Sequence, residues 1–455
     1  MRLRAFLAGL LLAGQAHAQI VVRHPAFAVV QSTAPALDLN FLTTTLDSRV
    51  TFSRASTRSC TNSSGQIVSV AVNVACMDYD PGTLALKGLS VEAAGTNLLY
   101  ASQNWLSTVA ASGSVDGQTQ SAGTAPDGTT TAMKLIPGSF SNTHQWYRVW
   151  TGAVSTPYVH SVFVKAAGMN YVTISLENSA FSPAQVLSVN LSNGTITSNS
   201  ANGSGTIQAF PGGWYRIAVQ ATSAATTGNY VVNILPNASS GNPQPTTGDA
   251  VSGVLVWGQQ VETGYAATSY IPTTSAAVTR AADVAYVNVV GLQGINGNTG
   301  SLFGQMVYEA PYTTLGYSAF LAFLDGTAPN NATTVGFYNT FASANAVTIN
   351  ASVSLAGTGS VANIASPTWS YGQSGRFAMA FNANILNAAF TVNGTTGTAT
   401  LANSQTTTPR TLTELIFNQP AHYQGQASLW FQRVTYYPSY LGPNWVTNKA
   451  SGAIP

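Results

Sequence analysis

Charge is what this chain lacks most. Of its 455 residues only 7% are Asp, Glu, Lys or Arg, against about a quarter in an average globular protein. The exposed surface must therefore be built from Ser, Thr, Asn, Gln and Gly, and the net charge is only +2. Such a surface exerts little pull on DNA or on an acidic membrane, so no nucleic-acid partner is expected. Cysteine is nearly absent: Cys60 and Cys76 stand alone, with no nearby His to complete a zinc site. Beyond the first residues no apolar run approaches the length of a transmembrane helix. There is no Gly-x-Ser-x-Gly nucleophile elbow and no phosphate loop.

What is present begins with an export pattern. Arg2 and Arg4 precede an apolar stretch from Ala5 to Gly14, and Ala16-His17-Ala18 offers small residues for cleavage. Residues 1–18 read as a signal peptide and the mature chain as starting at Gln19; an uncleaved anchor is the alternative. A secreted, periplasmic or cell-surface location follows. In that oxidising setting Cys60 and Cys76 read as a disulfide, which would stabilise the fold by about 3 kcal/mol in the chain-entropy model. Two unpaired buried thiols are the alternative.

Strand patterns dominate the rest. Tyr171 to Glu177 alternates, with Val172, Ile174 and Leu176 on one face, and Tyr158 to Lys165 and Trp214 to Gln220 alternate in the same way. Asn193-Gly194 between alternating runs signals a hairpin. The run Val254-Leu255-Val256-Trp257 reads as a fully buried strand that closes one domain, and the polar stretch after it, through Tyr270-Ile271-Pro272 to Arg280 and Asp283, as the exit to the next. A second series of strands runs from Leu302 to Tyr437 and ends at Pro438, which cannot donate to a ladder. The expected fold is all-β: two tandem antiparallel β-sandwiches with a short N-terminal adaptor. The adaptor spans 19–100 and packs on the first sandwich, a jelly roll over 101–285. The second sandwich and a C-terminal tail occupy 286–455.

Four pieces carry a family resemblance. Leu37-Asp38-Leu39-Asn40-Phe41 with Arg49 to Ser56 comes first, and Asp78-Tyr79-Asp80-Pro81 with Gly88 to Glu92 and Thr96 to Leu99 comes second, leading to Trp105. Gly213-Trp214-Tyr215-Arg216 with the stretch Trp257 to Asp283 is the third, and Val434 to Pro438 with Leu441 the fourth. Together they resemble phage structural and tail-fibre proteins, in which a carbohydrate-binding-module-like jelly roll precedes a concanavalin A-like or laminin-G-like sandwich. The resemblance implies surface attachment rather than catalysis. The export pattern and the cysteine pair depart from a virion part and suit a bacterial surface protein of prophage ancestry.

Catalytic sets are hard to assemble. A retaining glycosidase needs two carboxylates about 5 Å apart, yet Glu309, Asp325 and Glu414 are each alone in the second sandwich. Asp78 and Asp80 precede Pro81-Gly82 and read as turn residues, with a shared Ca²⁺ as the alternative. His144, Tyr147 and Arg148 are the residue types of a polysaccharide lyase but lie in one loop-strand segment, and His160 reads as a structural histidine. Sugar binding needs flat aromatic rings beside polar groups. The best cluster is Gln145 to Trp150: Trp146, Arg148 and Trp150 fall on one strand face, Tyr147 and Val149 on the other. Trp146, Arg148 and Trp150 are taken as the carbohydrate-binding face, with burial of both tryptophans in the core as the competing reading. No cofactor is expected; a structural Ca²⁺ near Glu262 stays open. The functional expectation is a non-catalytic, lectin-like protein that binds a glycan or cell-surface polysaccharide, with self-association adding multivalency. The alternative is a structural fibre or spike component that binds a protein partner and no glycan, and a polysaccharide-active enzyme is a third.

Overall fold

The computed structural model describes residues 34–454, apart from 105–109, 113–114, 201–203, 229, 238–246, 296, 311–316, 326–333, 344–345, 356–357, 365–366, 371, 403–410 and 419–426. The export pattern and Trp105 lie outside the described residues. Among them, no helix is long and apolar enough to cross a membrane. The expected all-β fold of two antiparallel sandwiches is what the chain forms, with a single α-helix among the described residues, Gly442–Ser451, near the end.

The jelly roll has two six-stranded sheets. One, here the groove sheet, runs in the order Thr195–Asn199, Gln185–Asn190, Tyr171–Glu177, Tyr230–Asn237, Gln145–Trp150 and Ala110–Ser112. The other, the seam sheet, runs Ser204–Phe210, Trp214–Thr222, Pro157–Ala167, Gly253–Thr263, Ala132–Pro137 and Val115–Gly123. Alternation sends Val172, Ile174, Leu176, Val162, Val164, Val232 and Ile234 into the core between them. The seam sheet is also buried on its outer face. There Phe163, Trp257, Trp214 and Phe210 form a second cluster with Tyr270 from the exit segment. This double burial explains why Val254 to Trp257 is a continuous apolar run rather than an alternating one.

The second sandwich departs from the sequence reading. Leu37–Asn40 pairs with Ser428–Tyr437 (Leu37 opposite Tyr436), Leu86–Val91 pairs with the same strand, and Val50–Ser53 pairs with Val284–Asn288. The segment expected to pack as an adaptor on the first sandwich thus supplies strands to both sheets of the second. Leu37, Leu39, Phe41, Val50, Leu89 and Val91 sit in its core beside Phe377, Phe417 and Phe431. The physical reason is that strands of four to six residues cannot enclose a core of their own, and strands far along the chain, Val284–Asn288 and Ser428–Tyr437, complete them.

The two sandwiches are therefore nested rather than strictly in tandem. The jelly roll is inserted between Gly95–Asn97 and Val278–Arg280, which pair antiparallel as a two-stranded neck. Asn97 ties the neck to the jelly roll: its amide donates to the carbonyls of Gln259 and Ile271, and its oxygen accepts from Val261 and Leu99.

Candidate functional site

The strand Gln145–Trp150 has the alternation the sequence implies, but the faces are the reverse of the expected ones. Trp146 is 1% exposed and Arg148 4%. Both point inward, opposite Ile234 and Val232. Arg148 lies over the Tyr100 ring and donates to the Tyr100 carbonyl, and burial lowers its pKa to about 10. Trp150 packs on Tyr158 and Tyr230, with ring centroids 5.6 and 5.4 Å away. Neither Trp146 nor Arg148 can meet a sugar, and Trp150 is half-buried in an aromatic cluster, touching the surface at one end of a groove. The correction has a simple cause. Alternation sorts residues onto two faces, and the larger apolar set is drawn to the core.

The other face lines an open groove of about 1000 Å³ on the outer side of the groove sheet. Register builds it. Tyr147 stands opposite Asn233, and Asn233 opposite Ser175; Val149 stands opposite Val231, and Val231 opposite Glu177. Tyr147 is half-buried and Val149 is 64% exposed. Gln145, Asn178 and Thr227 add polar groups at the rim. Gly152 permits the close approach of Tyr230 at one end, since a Cβ there would lie 2.5 Å from its ring.

A short relay orients the acid of the groove. Burial raises the Glu177 carboxyl above its ordinary pKa, and a hydrogen bond from the Ser175 side chain opposes the rise. With its proton directed to Glu177, the Ser175 hydroxyl accepts from the Asn233 amide at 3.3 Å. The Asn233 side-chain oxygen is left buried and without a hydrogen-bond partner. Glu177, Asn233 and Val231 went unnoticed in the sequence because they come from separate strands, and only strand pairing brings them beside Tyr147.

The remaining sequence candidates fall elsewhere. His144 is buried against the Phe140 carbonyl and Arg148 points into the core, so these two do not converge with Tyr147. His160 is a buried structural histidine: Nδ1 lies 3.2 Å from the Ser175 carbonyl and Nε2 accepts from Gln259, while burial lowers its pKa to about 3. Cys60 and Cys76 form the expected disulfide, with Cα atoms 6.0 Å apart. Asp78 lies within reach of both sulfurs, but the bond between them leaves no thiolate to hold a metal. Asp80 is the expected turn residue, accepting from Gly82 and Thr83. Asp78 instead sits in the strand Cys76–Tyr79, where it accepts from Thr61 and the Trp430 indole. Glu262 accepts from Thr268 N–H, Thr268 Oγ1 and Gln260 Nε2. Those donors take three of the carboxylate's roughly four acceptor sites.

A buried ionic cluster forms where the exit segment meets the N-terminal segment. Asp283 accepts from Arg54 at 3.1 Å and Arg58 at 2.8 Å; Glu92 pairs with Arg58 at 2.9 Å and with Arg280 at 3.5 Å. The side chains in these pairs are 0–1% exposed. Glu92 also accepts from the backbone and hydroxyl of Ser269. Burial by itself would raise the Glu92 carboxyl, but the Arg280 and Arg58 guanidiniums outweigh it and hold the group well below the usual carboxylate range.

No family model and no curated protein matches this chain. Solved structures that it is similar to include domains LG4-5 of the mouse laminin α1 chain (10% identity, TM-score 0.21, covering 73% of this chain and 95% of that one). Another is the CBM22-1–CBM22-2 tandem of Paenibacillus barcinonensis Xyn10C (11% identity, TM-score 0.24, covering 76% and 99%). A third is Trypanosoma rangeli sialidase in complex with the inhibitor DANA (9% identity, TM-score 0.26, covering 71% and 61%). At scores this low the likeness carries no argument about site, ligand or ancestry.

Proposed function

We propose that the protein is a non-catalytic attachment protein that binds a glycan in the groove of its jelly roll, exported and of phage or prophage structural ancestry. The observation that carries this reading is the open face of the groove sheet, where half-buried Tyr147 stands with Glu177 and Gln145 above the buried Asn233 and Ser175. A pyranose ring presents an apolar face that stacks on Tyr147, and its hydroxyls find the carboxylate and amide groups at hydrogen-bond reach. An open groove suits a chain lying across it rather than a single enclosed sugar. The absence of catalysis is supported by the acid content of the groove: among the described residues that line it, Glu177 is the only carboxylate, whereas glycoside hydrolysis ordinarily needs two. The ancestry rests on the resemblance of the four sequence segments.

The test is a glycan array with the chain from Gln19 onward, with and without Ca²⁺. The native protein should bind at least one glycan class, and Tyr147→Ala should weaken that binding about tenfold or more while leaving the thermal midpoint close to native. Binding that is indifferent to Tyr147→Ala places the site outside the groove. A folded protein that binds no glycan supports the fibre or spike reading with a protein partner.

A further inference from the structure

We propose that the groove of the jelly roll selects a glycan carrying protonated amino groups, an inference that rests on the glycan-binding reading of the same groove. Charge is spread unevenly over this domain. Between the two strands of the neck the only Lys and Arg are Lys134, Arg148, Lys165 and Arg216. Lys134, Lys165 and Arg216 belong to strands of the seam sheet, on the far side of the core, and Arg148 is buried against Tyr100. The two histidines of the domain, His144 and His160, are buried as well. Among the described residues that line the groove none is a cation, and Glu177 is the one carboxylate.

The open bonding capacity of the groove has the same sign. Glu177 is half-buried, and its charge is supported by the Ser175 hydroxyl with no cation beside it. The Asn233 amide donates to that hydroxyl, which leaves Asn233 Oδ1 as an acceptor without a partner in a side chain that is 1% exposed and lines the groove. Both groups lack a donor, and the carboxylate lacks a positive one. A sugar ammonium brings three N–H donors and the counter-charge, and such a charge-assisted bond is about twice as strong as a neutral one. A hydroxyl in its place leaves the carboxylate without a counter-charge, and an acidic sugar is repelled. Register sets the size of the ligand. Tyr147 and Glu177 are two strands and two residues apart, about 12 Å across the sheet. One ring cannot touch both. A chain lying along this diagonal stacks one ring on Tyr147, crosses Asn233 and Val231, and brings the amine of a later ring to Glu177.

The experiment titrates the full chain with three β-1,4-linked tetrasaccharides that differ only at carbon 2, made of glucosamine, N-acetylglucosamine or glucose, and reads binding by calorimetry. The glucosamine tetramer should bind about tenfold or more tighter than the other two, and its advantage should shrink with added salt. Glu177→Gln should bring the three to equal affinity. Asp127→Asn, the same loss of charge outside the groove, should leave the preference intact, and Tyr147→Ala should weaken the glucosamine tetramer about tenfold. Equal affinities in the native chain overturn the proposal, as do a preference for either uncharged tetramer, a preference that survives Glu177→Gln, and tight glucosamine binding that ignores Tyr147→Ala. The comparison within the native chain stands even if Glu177→Gln unfolds. The two readings fail separately: Tyr147-dependent binding of a neutral or acidic glycan in preference to the amino sugar sinks this one and leaves the groove as the glycan site, whereas binding of no glycan at all sinks both.

Discussion

Two neighbours on one strand illustrate how a single backbone step separates fold from function. Trp146 fills the jelly-roll core and Tyr147 faces the groove. Trp146→Ala should therefore cost about 3–5 kcal/mol of stability, seen in denaturant unfolding, whereas Tyr147→Ala should cost little stability and act on glycan binding. His160 makes a further prediction of its own. Its folded pKa is lowered by burial to about 3 from an ordinary 6.5, so the unfolded chain takes up a proton that the folded chain refuses. The stability due to the neutral ring is complete above the ordinary value and is lost progressively as pH falls toward 3. His160→Gln should lower stability at neutral pH and flatten its pH dependence between those limits, as read by thermal midpoints across a pH series.

Individual elements were largely legible in sequence; their pairing was not. The alternation at Tyr171–Glu177, the Asn193-Gly194 turn and the apolar run at Val254 to Trp257 each encode a local structure, because each depends on residues within one strand. Membership of a sheet depends on long-range register. Nothing in Leu37–Asn40 states that Ser428–Tyr437 is its partner, even though Asp38 reaches Arg433 and Thr435 across 395 and 397 residues of sequence. The groove was missed for the same reason: its row draws one residue from each of three strands. The strand Leu37–Asn40 makes this testable. Leu39 is fully buried in the core of the second sandwich, so Leu39→Ala should destabilise that sandwich by about 2–5 kcal/mol. Hydrogen exchange should show the loss of protection around Val434, its partner, and little change in the jelly-roll strands.

For the molecule as a whole, the buried ionic cluster fixes the point where the chain leaves the host for the insertion and returns from it. Arg54, Arg58 and Glu92 come from the host's N-terminal segment, and Ser269, Arg280 and Asp283 from the chain returning out of the jelly roll. In a chain with so few charges, setting five of them where no water reaches commits this corner to one arrangement. Asp283→Asn would leave Arg54 and Arg58 without their shared carboxylate and should cost about 3–5 kcal/mol, measured by denaturant unfolding. Acid should act on the same corner. Because the Glu92 carboxyl is held below its ordinary 4.5, its contribution is complete above that value and is lost as pH falls through the lowered one. Protease cleavage near the neck should appear in that acid range and not at neutral pH.

Nesting also sets an order of events for a chain made from its N-terminus. The jelly roll can close as soon as Gly253–Thr263 has emerged, because all its strands are then present. The host cannot: Leu37–Asn40 and Leu86–Val91 wait for Ser428–Tyr437, the strand that joins them. Throughout that interval the early segment carries apolar strands with unpaired edges, the condition under which chains associate wrongly. A premature stop before residue 428 should therefore yield a sound jelly roll flanked by two sticky ends. The final strand, the last to be made, decides whether the early segment ends in a closed sandwich or in association with other chains.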